Sequence, residues 1–463
     1  MDDLPGSIAA LQQAYRRRQL SPVEVTRALL EQAQRLQPLL RAFITVTPEQ
    51  ALAQAHAAER RLRDGETSPL LGAPLTLKDV YDQRGVPTTA GSGLRRTAVA
   101  TADAPLVRRL FRAGAISLGK TNLDELAYSG TGSNLHFGAV RNPWDLARRP
   151  GGSSAGAGAA VASGLGLVGM GSDTVGSIRV PAALCGVVGL KPTYGRVPTA
   201  GMVPLYASLD HAGPLSRTVA DAAAVLQVVA GGSRADPRAS SRARGDYVGA
   251  LGAGIAEMRV GLVALPRTEV DGEVSAAVDA AVATLEQLGA RVLPVTWPAL
   301  PPVEGLSAEA AVTHRELLES NPDGLGPYVR RRLEQGMAVR AVTYLASQRT
   351  LRELRRQTGR LFRATTGEPV DVLLGPTLPR AATLLDGSDG AGGGWTRFTR
   401  PYNETGLPAI TVPCGFTSRG LPIGLQVAGR PFAETDVLRV AHAYEQATDW
   451  HRRRPPLACA SPA

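Results

Sequence analysis

Only three lysines occur in this chain, Lys78, Lys120 and Lys191, and the other 48 of its 51 basic side chains are arginine. Arginine stays protonated to above about pH 12 and cannot act as a base, whereas lysine shifts its pKa readily when buried. Chemistry that needs an amine able to lose its proton must draw on these three positions. Candidate nucleophiles crowd the run PGGSSAGAGAAVASGLGLVGMGSDTVGSIRVPAALCGVVGLKPTYG. Within it Gly152-Ser153-Ser154-Ala155-Gly156 has the form G-x-S-x-G, which would make Ser154 the nucleophile of a strand-to-helix elbow. The elbow needs a strand directly before it, and RNPWDLARRP is polar and broken by prolines. Ser117-Leu118-Gly119-Lys120 has the form S-x-x-K, which works on the first turn of a helix, but AISLGK reads as a strand ending at glycine and no K-T-G follows. A phosphate loop is a weaker reading still, because residues 151 to 158 end without G-K-[ST]. The three cysteines (Cys185, Cys414, Cys459) match no zinc spacing, and no two of the six histidines stand at i,i+3 or i,i+4. No metal and no cofactor is expected.

The elements that must position these residues alternate between helix and strand. Ser21, Pro22 and Glu24 form a capping box with proline at the first helical position, which predicts a helix over 21–36. Alanine-rich 49–63 predicts a second. LTLKDV (75–80) predicts a short strand carrying Lys78 near its end, and a helix from about 104 leads into the buried strand AISLGK. MRVGLVALP (258–266), a helix through 273–288 and ARVLPVTW (290–297) form a β-α-β unit. PVDVLLGPT, PAITVPCGF and LPIGLQVAG supply further strands, the last two joined by the short turn TSRG. Stretches 231–246 and 386–394 read as surface loops. The pattern predicts one large α/β domain, with a two-domain split near residue 235 as the alternative.

Composition sets the outer limits. At 463 residues, 44% hydrophobic and 20% charged, the chain is a globular protein rather than a disordered one. No run approaches the ~18 apolar residues of a membrane span, and the N-terminus lacks the order of a signal peptide, so a cytoplasmic location and no membrane contact are expected. The net charge is +10, but the basic residues form no long stripe with aromatic residues between them, and arginine runs such as 16–18, 330–332 and 452–454 predict solvated helix faces rather than a nucleic-acid surface.

GGSS at 151–154, GSDT at 171–174, GSIRVPAALCGVVGLKPTYGRV at 176–197 and the upstream LTLKDV together resemble the amidase signature family of hydrolases. The resemblance runs from about residue 65 to 230, continues through DVLLGPT, and reaches YNETGLPAITVPCG and GLPIGLQVAGRPF. It implies one α/β/α sandwich around a mixed, twisted sheet, spanning 1–463, with 65–230 as the core that carries the catalytic residues and 1–64 as helices packed on it. It further implies that Ser177 is the acylated nucleophile, Ser153 the bridging serine after a cis peptide from Gly152, and Lys78 the general base. The same resemblance places the oxyanion hole on the backbone N–H groups of Thr174, Val175, Gly176 and Ser177, makes Asp173 the residue that orients this loop, and puts Ser129 on the substrate side. Lys120 and Lys191 are read as structural. One departure stands out: the family's D-T-G-G-S reads D-T-V-G-S here.

Chemistry is consistent with that assignment. A serine hydroxyl needs a base to become a nucleophile, and a desolvated lysine can be neutral enough to serve. The hydroxyl of Ser153 can accept from one neighbour while donating to the other, and so relay a proton. The expected activity is hydrolysis of a small-molecule carboxamide through an acyl-serine. The alternative is the glutaminase subunit of a tRNA-dependent amidotransferase, to which KTNLDELA and RNPWDL are similar, and only then is nucleic acid an expected partner. A non-catalytic scaffold is the remote third reading, and a homodimer is the assembly kept open. Variable segments at 125–135 and within 300–350 are expected to line the acyl pocket.

Overall fold

The computed structural model describes residues 4–264, 267–297, 300–389 and 394–458. Eleven strands form one sheet: β1 (Phe43–Val46), β2 (Pro74–Lys78), β3 (Ile116–Thr121), β4 (Val168–Asp173), β5 (Val188–Lys191), β6 (His211–Ser216), β7 (Arg259–Val263), β8 (Arg291–Val295), β9 (Val372–Pro376), β10 (Ala409–Phe416) and β11 (Pro422–Gly429). Their order is β1-β3-β2-β4-β6-β5-β10-β11-β9-β7-β8. The pairs β3-β2, β2-β4, β9-β7 and β7-β8 are parallel and the rest antiparallel, so the sheet is mixed. Pairing of β5 with β10 carries the sheet across residue 235 without a break.

Helices cover both faces because alternate strand residues bury apolar groups on each side. Leu75 and Leu77 of β2, Val168 and Met170 of β4, and Leu425 and Val427 of β11 share one core with helices Pro105–Arg112, Val219–Val229, Gly272–Gln287 and Glu434–Gln446. On the opposite face Leu215 of β6 packs with Ala157, Val161 and Ala182 of helices Ala155–Ala162 and Arg179–Cys185. Ile116 and Leu118 of β3 pack there under helices Pro22–Leu40 and Pro48–Arg63.

The first of these helices begins as its residues dictate: Ser21 Oγ accepts from the Glu24 N–H and the Glu24 carboxylate accepts from the Ser21 N–H. Two expectations need correction. Segment 1–64 is not helical throughout, because Phe43–Val46 adds an antiparallel edge strand to β3. The strand read over 75–80 ends at Lys78, and β3 runs on through Lys120 to Thr121. Residues 390–393 of the glycine-rich loop and Cys459 lie outside the described residues. No helix among the described residues is long and apolar enough to cross a membrane.

Candidate active site

Three parallel strands, β2, β3 and β4, lie side by side, so their C-terminal ends open on one edge of the sheet, the edge where open α/β sheets place their ligands. Lys78 is the last residue of β2, Asp124 follows β3 by three residues, and Asp173 ends β4. The loop to Ser177 leaves from there. Ser153 arrives from the connection that precedes helix Ala155–Ala162.

Lys78 is fully buried and donates from Nζ to Ser153 Oγ at 2.7 Å and to Ser172 Oγ at 2.9 Å. Burial pushes its pKa down to about 7, against the pull of the Asp124, Asp210 and Asp173 carboxylates, none of which bonds to it. A neutral amine is therefore available near physiological pH. The peptide between Gly152 and Ser153 is cis. Gly152 is required there for space, since a Cβ on it would collide with Asp124 Oδ2. That carboxylate also accepts from the Thr131 and Gly132 N–H groups, tying residues 130–132 to the site.

Ser177 is 5% exposed and lines a cavity of about 560 Å³. Its backbone carbonyl accepts from the Ser154 N–H at 3.2 Å, which joins the two serine-bearing segments. Ser177 Oγ makes no hydrogen bond among the described residues. Catalytic hydrogen bonds are often loose until a substrate tightens them.

Asp173 organises the loop between β4 and helix Arg179–Cys185. Its carboxylate accepts from the N–H groups of Gly176 (2.7 Å) and Ile178 (3.1 Å), from Arg179 Nε and Nη2 (both 3.0 Å) and from Asn403 Nδ2 (2.8 Å). Burial would raise its pKa, but the Arg179 guanidinium and these donors hold it well below the usual carboxylate range. This use of the Gly176 N–H corrects the expected set of four oxyanion donors, since that group is already committed. The N–H groups of Thr174, Val175 and Ser177 have no acceptor among the described residues, which leaves three. Gly176 contributes conformation instead: its φ is +136°, and a Cβ on it would collide with Thr399 Oγ1. Thr399 Oγ1 donates to the Val175 carbonyl at 2.6 Å. With its carbonyl held by Thr399 Oγ1 and its side chain packed beside Leu209, Val303 and Leu306, Val175 lines the cavity and keeps its own N–H.

Other candidates fall elsewhere. Ser154 Oγ donates to the Ser172 carbonyl and no strand precedes it, so the elbow is not formed. Ser117 sits on β3 and donates to Gln83. Lys120 pairs with Asp79 at 2.7 Å, both fully buried, and Lys191 donates to the Pro192 and Leu407 carbonyls. Ser129 lines the cavity and shares a hydrogen bond with Thr131. Both expected variable segments reach the cavity, through 127–131 and through 303–307, Tyr328 and Arg332. Sequence reasoning missed Ser172, Asp124, Arg179 and Asn403. Arg179 stands two residues from Ser177 in GSIR, and Asn403 stands in YNETGLP, both within motifs that carry the resemblance, signals that could have been used.

Comparisons with known proteins place the whole chain rather than its individual residues. The family model described as Amidase matches residues 24–438. The A subunit of glutamyl-tRNA(Gln) amidotransferase from Roseiflexus sp. (strain RS-1) is 40% identical over 97% of this chain and 98% of its own length. Among solved structures, the native peptide amidase from Stenotrophomonas maltophilia superposes with a TM-score of 0.87 at 35% identity, covering 97% of this chain and 98% of that one. The A subunit of the Thermotoga maritima glutamyl-tRNA(Gln) amidotransferase gives 0.75 at 32% identity, with 92% and 91% covered.

Proposed function

This chain belongs to the amidase signature family, and on that premise we propose that it hydrolyses a carboxamide through an acyl-serine intermediate. The observation that carries the reading is the buried hydrogen bond from Lys78 Nζ to Ser153 Oγ, with the amine held near neutrality. Ser177 Oγ attacks the amide carbonyl as its proton passes to Ser153, whose own proton passes to neutral Lys78. The oxyanion is met by the free N–H groups of Thr174, Val175 and Ser177, donors each worth about 10²- to 10³-fold when preorganised. The proton then returns through Ser153 to the departing nitrogen, the C–N bond breaks, and ammonia or an amine leaves. Water attacks the ester by the same relay and frees Ser177.

A second reading shares this chemistry and differs in the fate of the ammonia: the chain as the glutaminase component of a tRNA-dependent amidotransferase. The identity to amidotransferase relatives over nearly the full length favours it, whereas the closer superposition on a peptide amidase favours a free-standing hydrolase. Ammonia release from glutamine, dependent on a co-purifying partner protein, supports the second; release from other amides by the chain alone supports the first.

The experiment common to both is covalent trapping. A sulfonyl fluoride is expected to add to Ser177 by mass spectrometry. Ser177→Ala is expected to lower kcat by about 10⁴-fold or more with an unchanged melting temperature. An adduct on Ser154 overturns the assignment.

A further inference from the structure

A second buried carboxylate stands beside the loop that carries Ser177, and the proposed amide chemistry does not use it. Asp210 immediately precedes β6, and because β4 and β6 pair antiparallel with Asp173 opposite His211, the strand ends bring Thr174 against Asp210. Asp210 Oδ1 accepts from the Thr174 hydroxyl at 2.6 Å, a short charge-assisted bond. The same carboxylate accepts from the Leu205 N–H at 2.9 Å and the Tyr206 N–H at 3.3 Å. Leu205 and Tyr206 line the cavity in front of Ser177. One carboxylate thus ties the start of the loop to the cavity wall.

Asp210 is 3% exposed, and no arginine or lysine bonds to it among the described residues. A buried carboxylate without a cation is costly, and its hydrogen bonds must offset that cost. Burial raises its pKa to about 6, against the pull of these donors, so it is ionised at neutral pH and above. Closing the turn around residues 205–210 accounts for the bonds to Leu205 and Tyr206. The bond to Thr174 spans 36 residues of sequence and serves no turn. Elsewhere in the loop Asp173 fixes Gly176, Ile178 and Arg179, and Thr399 fixes the Val175 carbonyl. The Thr174 side chain makes no other hydrogen bond among the described residues, so Asp210 alone holds it.

We propose that Asp210 is a positioning residue for amide hydrolysis, which through the Thr174 hydroxyl aims the Thr174 N–H at the oxyanion. The proposal rests on the reading of Ser177 as the acylated residue, because the oxyanion is placed relative to that hydroxyl. Asp210 does not line the cavity and acts only through its neighbours. With its side chain tethered, Thr174 cannot turn its N–H away from the cavity without breaking a charge-assisted bond in a buried site.

The test is a double-mutant cycle on the modification of Ser177 by phenylmethanesulfonyl fluoride, with kinact and KI measured separately, and on ammonia release from a broad panel of amides. Rates are taken at about pH 9, where Lys78 is neutral in every variant, because the Asp210 charge also acts on Lys78. Asp210→Asn cannot accept from all three donors and is expected to lower kinact at least about tenfold, with KI within about threefold. Thr174→Val leaves the 205–210 turn intact and is expected to do the same, whereas Thr174→Ser, which keeps the hydroxyl, is expected to stay within about threefold of wild type. Combining Asp210→Asn with Thr174→Val is expected to be no more than about threefold slower than Asp210→Asn alone, since both changes remove one contact. Full reactivity in Thr174→Val, or losses that multiply in the combined variant, overturns the proposal. Labelling that depends on Asp210 and Thr174 in a protein that releases no ammonia from any amide supports the positioning role and overturns the hydrolase. Wild type that takes no sulfonyl group on Ser177 overturns the reading of Ser177 and the proposal with it.

Discussion

A lysine taken fully out of water keeps its proton only at a cost, and at Lys78 that cost sets the working range of the site. As the proposed base, it must be neutral, so kcat/KM is expected to rise with pH through an ionisation near the value of about 7 to which burial brings it. Lys78→Arg is expected to be nearly as inactive as Lys78→Ala, because arginine keeps its charge and cannot accept a proton. A pH profile flat between 6 and 9, or an active arginine variant, contradicts this. The scarcity of lysine beside so many arginines narrowed the candidate base to Lys78, Lys120 and Lys191, and the resemblance of LTLKDV to the family selected Lys78. Ser172, its second hydrogen-bond partner, was not: a serine in VGMGSD carries no mark of its neighbour until β2 and β4 are side by side. Asp124 was likewise hidden, as its role depends on where Gly152 approaches it.

Among the elements, the turn from β4 into helix Arg179–Cys185 holds together through charge rather than length, for that helix has only seven residues. Asp173 and Arg179 are both fully buried and satisfy each other, and Asn403 and Gln426 bind the same cluster from distant segments. Asp173→Asn leaves Arg179 buried without its counterion, so unfolding in urea is expected to show a loss of about 3–5 kcal/mol, together with a fall in kcat as the loop proposed to hold the oxyanion loosens. A loss below about 1 kcal/mol would mean that Arg179 finds water or another acceptor. Helix Pro22–Leu40 could be read from its capping box and apolar spacing. β4 could not: every residue of Val168–Asp173 is buried, so no polar alternation marks it, and two of its six positions are glycine. The edge strand Phe43–Val46 escaped notice because four residues between two strong helices show too short a period.

At the scale of the whole molecule, three helices far apart in the chain meet at two buried carboxyl groups. Asp221 accepts from the Ile8 N–H at the start of helix Ile8–Arg16, and Glu445, on helix Glu434–Gln446, accepts from the Val219 N–H. Burial pushes Asp221 up to about 7 and Glu445 up to about 8. The folded state therefore holds protons that the unfolded chain releases near pH 4, and stability falls as pH rises from about 4.5 to 8. Thermal melts are expected to show that decline, and Glu445→Gln, which keeps an acceptor for Val219, is expected to flatten it; parallel curves for the two proteins would refute the assignment. The alternation of helix and strand was enough to read the α/β class, but not the order of a sheet in which β5 lies beside β10. The burial of all three lysines has a consequence for the surface. An enzyme working through the proposed acyl-serine ester risks passing acyl groups to its own exposed amines, and this fold presents no lysine side chain to receive them. An N-hydroxysuccinimide ester is accordingly expected to leave the lysines of the native protein unmodified and to label them on denaturation, so that amine acylation reports unfolding directly; labelling at Lys78, Lys120 or Lys191 in the native state would show that those cores open.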